Sequence, residues 1–477
     1  MRLPVLSIRD VAERHLCTGC GACAYLSPDE IEMVDDLDQG RRPLLRHAAP
    51  ADPRSEEAAR ACPGAALEQT AGPSTPGVIH ELLPAWGPVL NLWEGHAADP
   101  EVRFAGSSGG AASALALFCI ERLGMHGLLH IAAREDVPYL NRTVLSRTRE
   151  EILAATGSRY APASPCDSLH LVERAPAPCV FIGKPCDVAG AHAAARLRPA
   201  LERRMGLTIG IFCAGAPSTK GTLEMLKAMG VDDPESLLSV RYRGNGWPGL
   251  ATARFRARDG SVEERTLTYS QSWGDILQKH RQWRCYICPD HTGEFADIAV
   301  GDPWYRPVPD NAAGSSLVLA RTERGRRIIE QAIDAGYLLL TRVEPRVLPE
   351  SQPNLLRTRG AVWGRLLALR LVGAAVPRYS GLAMRPFWLS ALSVKEKAQS
   401  ILGTVRRAFR KGLRRRRAVV PFEAPHHPAH HRQPDRYRPN RPGPGRGPRP
   451  ETAFYHRGHA LGAGISTHRE RRTAQPG

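Results

Sequence analysis

Three cysteines near the beginning of the chain have the spacing of an iron–sulfur motif. The segment Cys17-Thr-Gly-Cys20-Gly-Ala-Cys23 reads C-x2-C-x2-C, and its glycines permit the tight turns that arrange three thiolates around one face of a cubane cluster. Bacterial ferredoxins continue with a Cys-Pro pair four residues later, but this chain has Ser27-Pro28 there. In two-cluster ferredoxins that cysteine ligates the other cluster, so its absence indicates one cluster in this unit.

The fourth ligand of this cluster is expected further along the chain. Cys62 stands in Ala-Cys-Pro-Gly, the Cys-Pro ending that such motifs use. A zinc site is the alternative, but zinc knuckles favour paired C-x2-C units over three evenly spaced cysteines. The sequence therefore predicts a [4Fe–4S] cluster held by Cys17, Cys20, Cys23 and Cys62.

A second set of cysteines is predicted from the positions of strands. Cys285 and Cys288 form a C-x2-C pair, which is a weak signal by itself. Cys186 follows the apolar run CVFIG, and Cys213 ends the run LTIGIF. Open α/β sheets bind ligands at the carboxyl ends of their strands, so these four thiols could converge there. A second [4Fe–4S] cluster is the expected occupant, and a zinc ion is the alternative.

The other cysteines have less informative surroundings. Cys119 lies within a helical pattern and Cys179 begins a strand, so both are expected in the core. Cys166, in Ser-Pro-Cys-Asp-Ser, stays undecided and is the alternative ligand if one of the four is wrong.

A glycine- and serine-rich turn precedes a helical segment. Residues 106–110 read GSSGG and lead into AASALALFCIERLG, which predicts an amphipathic helix with Ser107 or Ser108 as its N-cap. Small residues at a helix start also let an anion approach backbone N–H groups. The turn lacks the G-x-G-x-x-G spacing of dinucleotide-binding folds, so spacing alone leaves capping and phosphate binding both open.

The elements that must position these residues alternate between strands and helices. Strands are predicted within 128–134, 179–183, 207–213 and 296–302, separated by helical stretches. This order predicts a mixed α/β fold (α/β with α+β character) and a partly parallel sheet. Residues 240–270 alternate in a way that predicts an antiparallel insert.

Composition divides the chain into five predicted regions. They are a ferredoxin-like cluster unit (1–70), a Pro/Gly-rich connector (71–100), an α/β domain (101–345), a helical C-terminal region (346–418) and a disordered tail (419–477) rich in Pro, His, Arg and Gly.

The net charge of +17 belongs mainly to the end of the chain. Residues 406–477 contain 18 of the 65 basic residues and 4 of the 48 acidic residues. The body of the chain therefore has 47 basic and 44 acidic residues. A nearly neutral body argues against a nucleic-acid-binding groove, so no specific nucleic acid is expected as a partner. Binding of RNA or DNA through the tail is the remaining alternative.

No targeting or spanning segment is apparent in the sequence. The first residues lack an apolar stretch, and no run of 18 apolar residues occurs, so a cytoplasmic protein is expected. The segment 393–417 has one apolar face and one cationic face. It could contact an anionic membrane surface, or it could be a solvated terminal helix.

Together the motifs resemble the family of coenzyme F420 hydrogenase/dehydrogenase beta subunits. They are, in order along the chain, CTGCGAC, AGSSGG, GSRYAP, FIGKPCDVAG, IFCAGAPSTKG, RGNGWPG and CYICPDHTGEFADIAVGDPW. The family also includes a plant relative that reduces hydroxymethyl chlorophyll. The resemblance covers residues 15–305, whereas Ser27 and the basic tail depart from the pattern.

This resemblance implies an FAD-binding oxidoreductase with two [4Fe–4S] clusters. The residues it assigns to the flavin are Ser107, Ser108, Gly109, Gly110, Ser158, Arg159, Tyr160, Lys184, Lys220 and Asp302. Electrons would pass between a reduced carrier, either coenzyme F420 or ferredoxin, and an unidentified small-molecule acceptor or partner. The alternative is a non-catalytic, metal- or cluster-stabilised partner protein in polysaccharide biosynthesis, and an oligomer is compatible with both.

Overall fold

The computed structural model describes residues 6–46, 53–306 and 313–424, and these all belong to one compact unit. The α-helices are α1 (Ile8–Glu13), α2 (Ala22–Leu26), α3 (Pro53–Arg60), α4 (Leu83–Trp86), α5 (Pro100–Ala105), α6 (Ala111–Glu121), α7 (Arg149–Ala154), α8 (Leu169–Glu173), α9 (Pro185–Ala195), α10 (Pro199–Arg204), α11 (Thr219–Ala228), α12 (Trp283–Tyr286), α13 (Glu323–Asp334), α14 (Val347–Ser351), α15 (Pro353–Leu371), α16 (Arg385–Ser390) and α17 (Val394–Arg410).

The strands are β1 (Ile31–Asp36), β2 (Gly40–Leu45), β3 (Ala66–Glu68), β4 (Asn91–Ala97), β5 (Leu128–Ala133), β6 (Asn141–Ser146), β7 (Cys179–Gly183), β8 (Met205–Ile211), β9 (Leu237–Arg241), β10 (Ala251–Arg256), β11 (Val262–Leu267), β12 (Ile298–Gly301), β13 (Ser316–Ala320), β14 (Leu338–Arg342) and β15 (Arg378–Ser380). Short 3-10 helices span Pro165–Ser168, Pro234–Ser236 and Leu277–His280, and a π-helix spans Ser270–Ile276.

An eight-stranded mixed sheet forms the centre of the fold. Its order is β14-β4-β13-β12-β8-β7-β5-β6, and the four strands β5, β7, β8 and β12 run parallel to one another. The outer pairings are antiparallel. All four strands predicted from the sequence are present in this sheet, so the prediction of a mixed α/β fold with a partly parallel sheet is confirmed.

Helices cover both faces of the sheet because side chains alternate along each strand. In β7, Val180 belongs to the apolar cluster that contains α6 and α13, whereas Phe181 belongs to the cluster that contains α9 and α2. The second of these clusters joins residues such as Leu26 and Ala59 to the sheet. The N-terminal cysteine segment is thus packed directly on the central sheet, and the predicted domain boundaries stay a prediction.

The predicted antiparallel insert is a separate three-stranded sheet. Strands β9, β10 and β11 pair antiparallel in the order β11-β10-β9. Their buried side chains form a third apolar cluster with α11, which includes Tyr242, Phe255 and Leu226.

Helix α6 differs from its prediction in two ways. Its residues from Ala114 to Cys119 are all buried, so the helix is a core helix and not an amphipathic one. Its N-cap is Gly110, in the left-handed region with φ of 73°, and not Ser107 or Ser108. A left-handed cap suits glycine because a Cβ would be strained there.

The segment after α17 crosses the N-terminal part of the chain. Arg416 forms ion pairs with Asp10 and Glu13 at 2.6 and 2.8 Å. The Phe422 N–H donates to the Asp35 carbonyl oxygen at 2.7 Å, and its ring packs against the third apolar cluster. The rest of the predicted disordered tail, residues 425–477, lies outside the described residues.

Helix α17, which contains most of the segment predicted to contact a membrane, packs against α15. Ser400, Thr404 and Ala408 are its buried residues. Within the part of the chain that the structure describes, no helix is both long enough and apolar enough to cross a membrane.

Candidate functional site

A cavity of about 320 Å³ opens at the carboxyl ends of the parallel strands. Gly183 ends β7 and Lys184 follows it, Cys213 follows β8 and Asp302 follows β12, and all four line the cavity. The start of α6 and the end of the antiparallel insert form the opposite walls. This is the edge at which open α/β sheets bind ligands.

The glycine-serine turn presents backbone N–H groups to this cavity. Gly110, Ala111, Ala112 and Ser113 line it, and no side chain caps the start of α6. Uncapped N–H groups and the helix dipole together favour a bound anion such as a phosphate. A side chain at Gly110 would collide with the Val102 carbonyl oxygen, since a Cβ there would lie 2.5 Å away.

The two serines of the turn hold neighbouring loops. The Ser107 hydroxyl accepts a hydrogen bond from the Ser158 N–H, and the Ser108 hydroxyl donates to the Ser315 carbonyl oxygen at 2.7 Å. Both serines line the cavity, whereas Gly109 does not. The Gly109 N–H donates instead to the Ser316 hydroxyl at 2.9 Å, so this residue fastens the turn to β13.

Arg159 and Tyr160 continue the wall that begins at Ser158. The Arg159 guanidinium donates to the Pro138 carbonyl oxygen at 2.7 Å and to the Asn141 side chain. The Tyr160 ring lies 4.9 Å from the Trp273 ring, so an aromatic surface faces the cavity.

Asp302 is held by Arg243, a residue that sequence reasoning missed. Two nitrogens of the Arg243 guanidinium bind the two Asp302 oxygens at 3.0 and 2.9 Å, and the Trp247 indole N–H donates to the same carboxylate at 2.7 Å. Arg243 is 3% exposed. Burial opposes its charge, but Asp302 together with Tyr160 and Tyr269 outweighs burial and raises the pKa of Arg243.

Aromatic side chains surround this ion pair. The Tyr269 ring stacks on the Trp304 ring at 5.6 Å, and the Arg243 guanidinium lies 5.0 Å from the Tyr269 ring centre. Both rings line the cavity, while Trp247 is buried behind them. The arrangement provides a flat apolar wall with one fixed ion pair.

The two lysines predicted for the site have different positions. Lys184 lines the cavity, and its Nζ lies 2.6 Å from the buried carboxylate of Asp187. Burial opposes the lysine charge, but Asp187 and the thiols of Cys186 and Cys213 outweigh it and raise the pKa of Lys184. Lys220 is exposed and does not line the cavity.

A second, smaller cavity shares a wall with the first. Cys186, Cys213, Cys285 and Cys288 all line it. Lys184, Cys213, Gly215 and Ala216 line both cavities. The structure therefore brings the four cysteines predicted for the second cluster together, directly beside the larger cavity.

His291 lies in the motif that begins at Cys285 and also lines this second cavity, although the sequence assigned no role to it. Its Nδ1 lies 2.9 Å from the Cys213 carbonyl oxygen, and its buried Nε2 has no hydrogen-bond partner. The Ala216 N–H donates to the Cys285 sulfur at 3.4 Å. Such N–H groups stabilise thiolate sulfur.

The four N-terminal cysteines also lie near one another. Burial, followed by the neighbouring thiols of the set, raises the pKa of Cys23 well above its usual value and that of Cys62 to about 12. A hydrogen bond with the Cys166 thiol lowers the pKa of Cys20. Cys23 and Cys62 are therefore protonated at neutral pH in the absence of a bound ion, and binding a metal cluster must release their protons.

Cys166 lies beside the first cysteine set and not in the cavity of the second. Its N–H donates to the Cys20 carbonyl oxygen at 2.9 Å, and its thiol donates to the Asp187 carbonyl oxygen at 3.2 Å. It is fully buried, as are Cys119 and Cys179, which belong to apolar clusters.

Two buried arginines show that the cysteine sets suit an anionic group. Arg42 and Arg284 are each 3% exposed, and the Nε of each has no hydrogen-bond partner. Both lie near Cys17, whose pKa is raised by burial against the opposing effect of their charges. A buried cation without a carboxylate is costly unless an anion faces it, and a thiolate-bound iron–sulfur cluster is such an anion.

Among the described residues, no group of three or more His, Cys, Asp or Glu side chains is placed to hold one metal ion. A cubane cluster needs wider spacing, because each thiolate binds a different iron atom, whereas zinc gathers its ligands in one shell.

Comparison with known proteins covers the same region as the two cavities. Two family models describe the N-terminal and C-terminal parts of the beta subunits of coenzyme F420 hydrogenase/dehydrogenase. Residues 92–170 match the N-terminal model, and residues 178–346 match the C-terminal model. Together the two matches span more than half of the chain.

Individual relatives are similar over a comparable stretch. A coenzyme F420 hydrogenase subunit beta from Methanococcus voltae is 26% identical, with 54% of this chain and 85% of the relative covered. The protein of the same name from Methanosarcina barkeri is 25% identical, with 57% and 87% covered. The chloroplastic 7-hydroxymethyl chlorophyll a reductase of Oryza sativa subsp. japonica is 26% identical, with 39% and 38% covered. The chain belongs to the family of coenzyme F420 hydrogenase/dehydrogenase beta subunits, and redox electron transfer is the chemistry that this membership implies.

Proposed function

We propose that this protein is an oxidoreductase that binds FAD and two [4Fe–4S] clusters. One observation carries the proposal: the large cavity shares Lys184 and Cys213 with the cavity that four cysteines line. A site suited to a flavin and a site suited to a cluster therefore adjoin. Electrons arriving in pairs in one cavity could leave singly through the other.

In this proposal the large cavity holds the flavin. A bound flavin accepts two electrons as a hydride and releases them one at a time. The uncapped N–H groups at Gly110 and Ala111 bind its phosphates, and the walls formed by Tyr160 and Trp304 exclude water from its ring. Lys184 supplies a positive charge at the shared wall, which favours a negatively charged reduced ring.

The cysteines hold the clusters in two sets. Cys186, Cys213, Cys285 and Cys288 bind the cluster beside the flavin, and Cys17, Cys20, Cys23 and Cys62 bind the other. The buried guanidinium groups of Arg42 and Arg284 compensate the thiolate charge.

The electron donor is proposed to be a reduced carrier, either coenzyme F420 or ferredoxin. An arginine cluster near the second cavity suits an acidic partner. The guanidinium groups of Arg281 and Arg407 lie 4.7 and 5.2 Å from the Tyr286 ring, and Arg365 donates to the Tyr286 carbonyl oxygen at 2.6 Å. Burial, then the charges of Arg407 and Arg281, lower the pKa of Arg365 to about 10. None of these three arginines has an ion pair with a carboxylate in the described part of the chain.

The experiment is anaerobic reconstitution of the full chain, followed by measurement of flavin and iron and by reduction with reduced F420 or reduced ferredoxin. The proposal predicts one flavin, roughly eight irons per chain, and rapid bleaching of the flavin by one of the two carriers. Bound iron without flavin, with no carrier able to reduce the protein, would favour a non-catalytic partner protein instead. Electron exchange that slows with added salt would support the arginine cluster as the docking surface.

A further inference from the structure

Arg284 connects the two cysteine sets through backbone hydrogen bonds. It lies in α12, immediately before Cys285. One terminal nitrogen donates to the Pro63 carbonyl oxygen at 2.9 Å, and the other donates to the Ile287 carbonyl oxygen at 3.4 Å. Pro63 follows Cys62, and Ile287 precedes Cys288. One guanidinium thus ties the chain beside a ligand of the first set to the chain beside a ligand of the second.

The charge of Arg284 is not neutralised by an acidic side chain. Arg284 is 3% exposed, forms no ion pair with a carboxylate among the described residues, and leaves its Nε without a hydrogen-bond partner. Its guanidinium lies 5.6 Å from the centre of the Tyr379 ring, and the residue lines the second cavity. A buried cation without an ion-pair partner is strongly unfavourable, so Arg284 requires an anion that faces it.

The contacts of Arg284 place it beside both cysteine sets. Its hydrogen bond to the Pro63 carbonyl oxygen holds the guanidinium next to Cys62 of the first set. The same residue lines the second cavity together with the four cysteines of the second set. The charge of Arg284 therefore lies next to both groups of thiols.

We propose that Arg284 is a counter-cation shared by the two [4Fe–4S] clusters, which raises the reduction potential of both and fixes their relative position. The proposal rests on the proposed function, because it requires that both clusters are present. A cluster held by four thiolates is an anion, and adding one electron makes it more negative. A fixed cation stabilises the reduced state more than the oxidised state. No bond forms or breaks: a bound cluster would supply the uptake and release of one electron at a time, and Arg284 would hold a fixed positive charge beside it.

Arg42 provides a matched comparison for this positioning residue. It is equally buried, and its Nε also lacks a partner. Its terminal nitrogens donate to the Arg41 carbonyl oxygen at 2.8 Å and to the Gln282 side-chain oxygen at 3.0 Å. Its Nη1 lies 3.7 Å from the point that a Cβ at Gly19, between Cys17 and Cys20, would occupy. Arg42 does not itself line the second cavity, although Gln282 does. Arg42 therefore should influence the first cluster more than the second.

The test is a redox titration of the full, reconstituted protein with dithionite, monitored by EPR. The variants are Arg284→Gln, which is neutral and keeps one hydrogen-bond donor, Arg284→Lys, which keeps the charge, and Arg42→Gln. For Arg284→Gln we expect the equilibrium constant for reduction of each cluster to fall roughly tenfold. This fall corresponds to a reduction potential that is lower by about 59 mV for one electron. Arg42→Gln should shift the potential of the first cluster more than that of the second, and Arg284→Lys should leave both equilibrium constants within about threefold of the wild type.

Flavin and iron contents measured beside the titration distinguish the two proposals. A wild-type chain without flavin or with only one cluster would refute the proposed function. A fully loaded Arg284→Gln variant with unchanged potentials, or with one potential shifted, would overturn only the role of Arg284. If Arg284→Gln loses iron, retention of iron by Arg284→Lys supports the shared counter-cation. Loss of iron from both variants would overturn the shared counter-cation, because the two hydrogen bonds of the guanidinium, and not its charge, would then be essential.

Discussion

Replacing Lys184 by methionine tests whether this lysine is a buried partner of Asp187 at the wall between the cavities. The Nζ–Oδ2 distance is 2.6 Å, and the Asp187 side chain is 2% exposed, so Lys184→Met leaves a carboxylate buried without its cation. Removing one partner of a buried ion pair in this way lowers the free energy of unfolding by about 3–5 kcal/mol. An unfolding entropy of about 2.1 cal/mol/K per residue over roughly 400 residues gives about 0.8 kcal/mol/K. The melting temperature should therefore fall by about 4–6 °C.

The assay is a thermal melt of the loaded protein, with two further variants as controls. Lys184→Met combined with Asp187→Asn removes both charges and should recover most of the lost stability. Lys220→Met should leave the melting temperature unchanged, because Lys220 is exposed and lies outside the cavity. Equal melting temperatures for Lys184→Met and the wild type, or no recovery in the double variant, would refute the reasoning.

Three further predictions concern the walls of the large cavity. Arg243→Met leaves Asp302 without its bidentate partner. It should lower the free energy of unfolding by about 3–5 kcal/mol and release the flavin. Arg243→Lys should not restore the flavin content, because an ammonium group cannot make the paired hydrogen bonds. Gly110→Ala should weaken flavin retention, since φ is 73° and the new Cβ meets a carbonyl oxygen, whereas Gly124→Ala, at φ of 65° with open space around it, should retain flavin. Burial lowers the pKa of His130 from 6.5 to about 4. The contribution of His130 to the free energy of unfolding is therefore fully present above pH 6.5, where the imidazole is neutral. About 3 kcal/mol of that free energy is lost as the pH falls from 6.5 to 4, because only the unfolded chain takes up the proton. His130→Asn should flatten this part of the melting profile between pH 7 and 5, and an unchanged profile would contradict the assignment.

The parts of the site that could be predicted from sequence are those with a local signal. The spacing of Cys17, Cys20 and Cys23 is a local pattern, and the position of Cys213 follows from the end of an apolar strand. Parallel strands then bring distant residues to the same edge of the sheet. The mixed α/β fold and the antiparallel insert could also be predicted, because the periodicity of a strand can be recognised within a short stretch of sequence.

The remaining features depend on contacts between residues far apart in the chain. Arg243 pairs with Asp302 across 59 positions, and Arg284 reaches Pro63 across 221. Arginine is abundant in this chain, so composition does not distinguish a buried guanidinium from a solvated one. The N-cap at Gly110 was missed because serine is the commoner cap, and here both serines hold other loops. Lys184 and Lys220 have similar local contexts and differ only in the tertiary fold.

Iron and flavin content of matched cysteine variants tests the central claim most directly. The wild-type chain, reconstituted anaerobically, should hold one flavin and roughly eight irons, and Cys186→Ala should lose roughly four of them. Cys119→Ala, which alters a core cysteine outside both cavities, should keep all of them. Flavin without iron in the wild type, or an unchanged iron content in Cys186→Ala, would contradict the account.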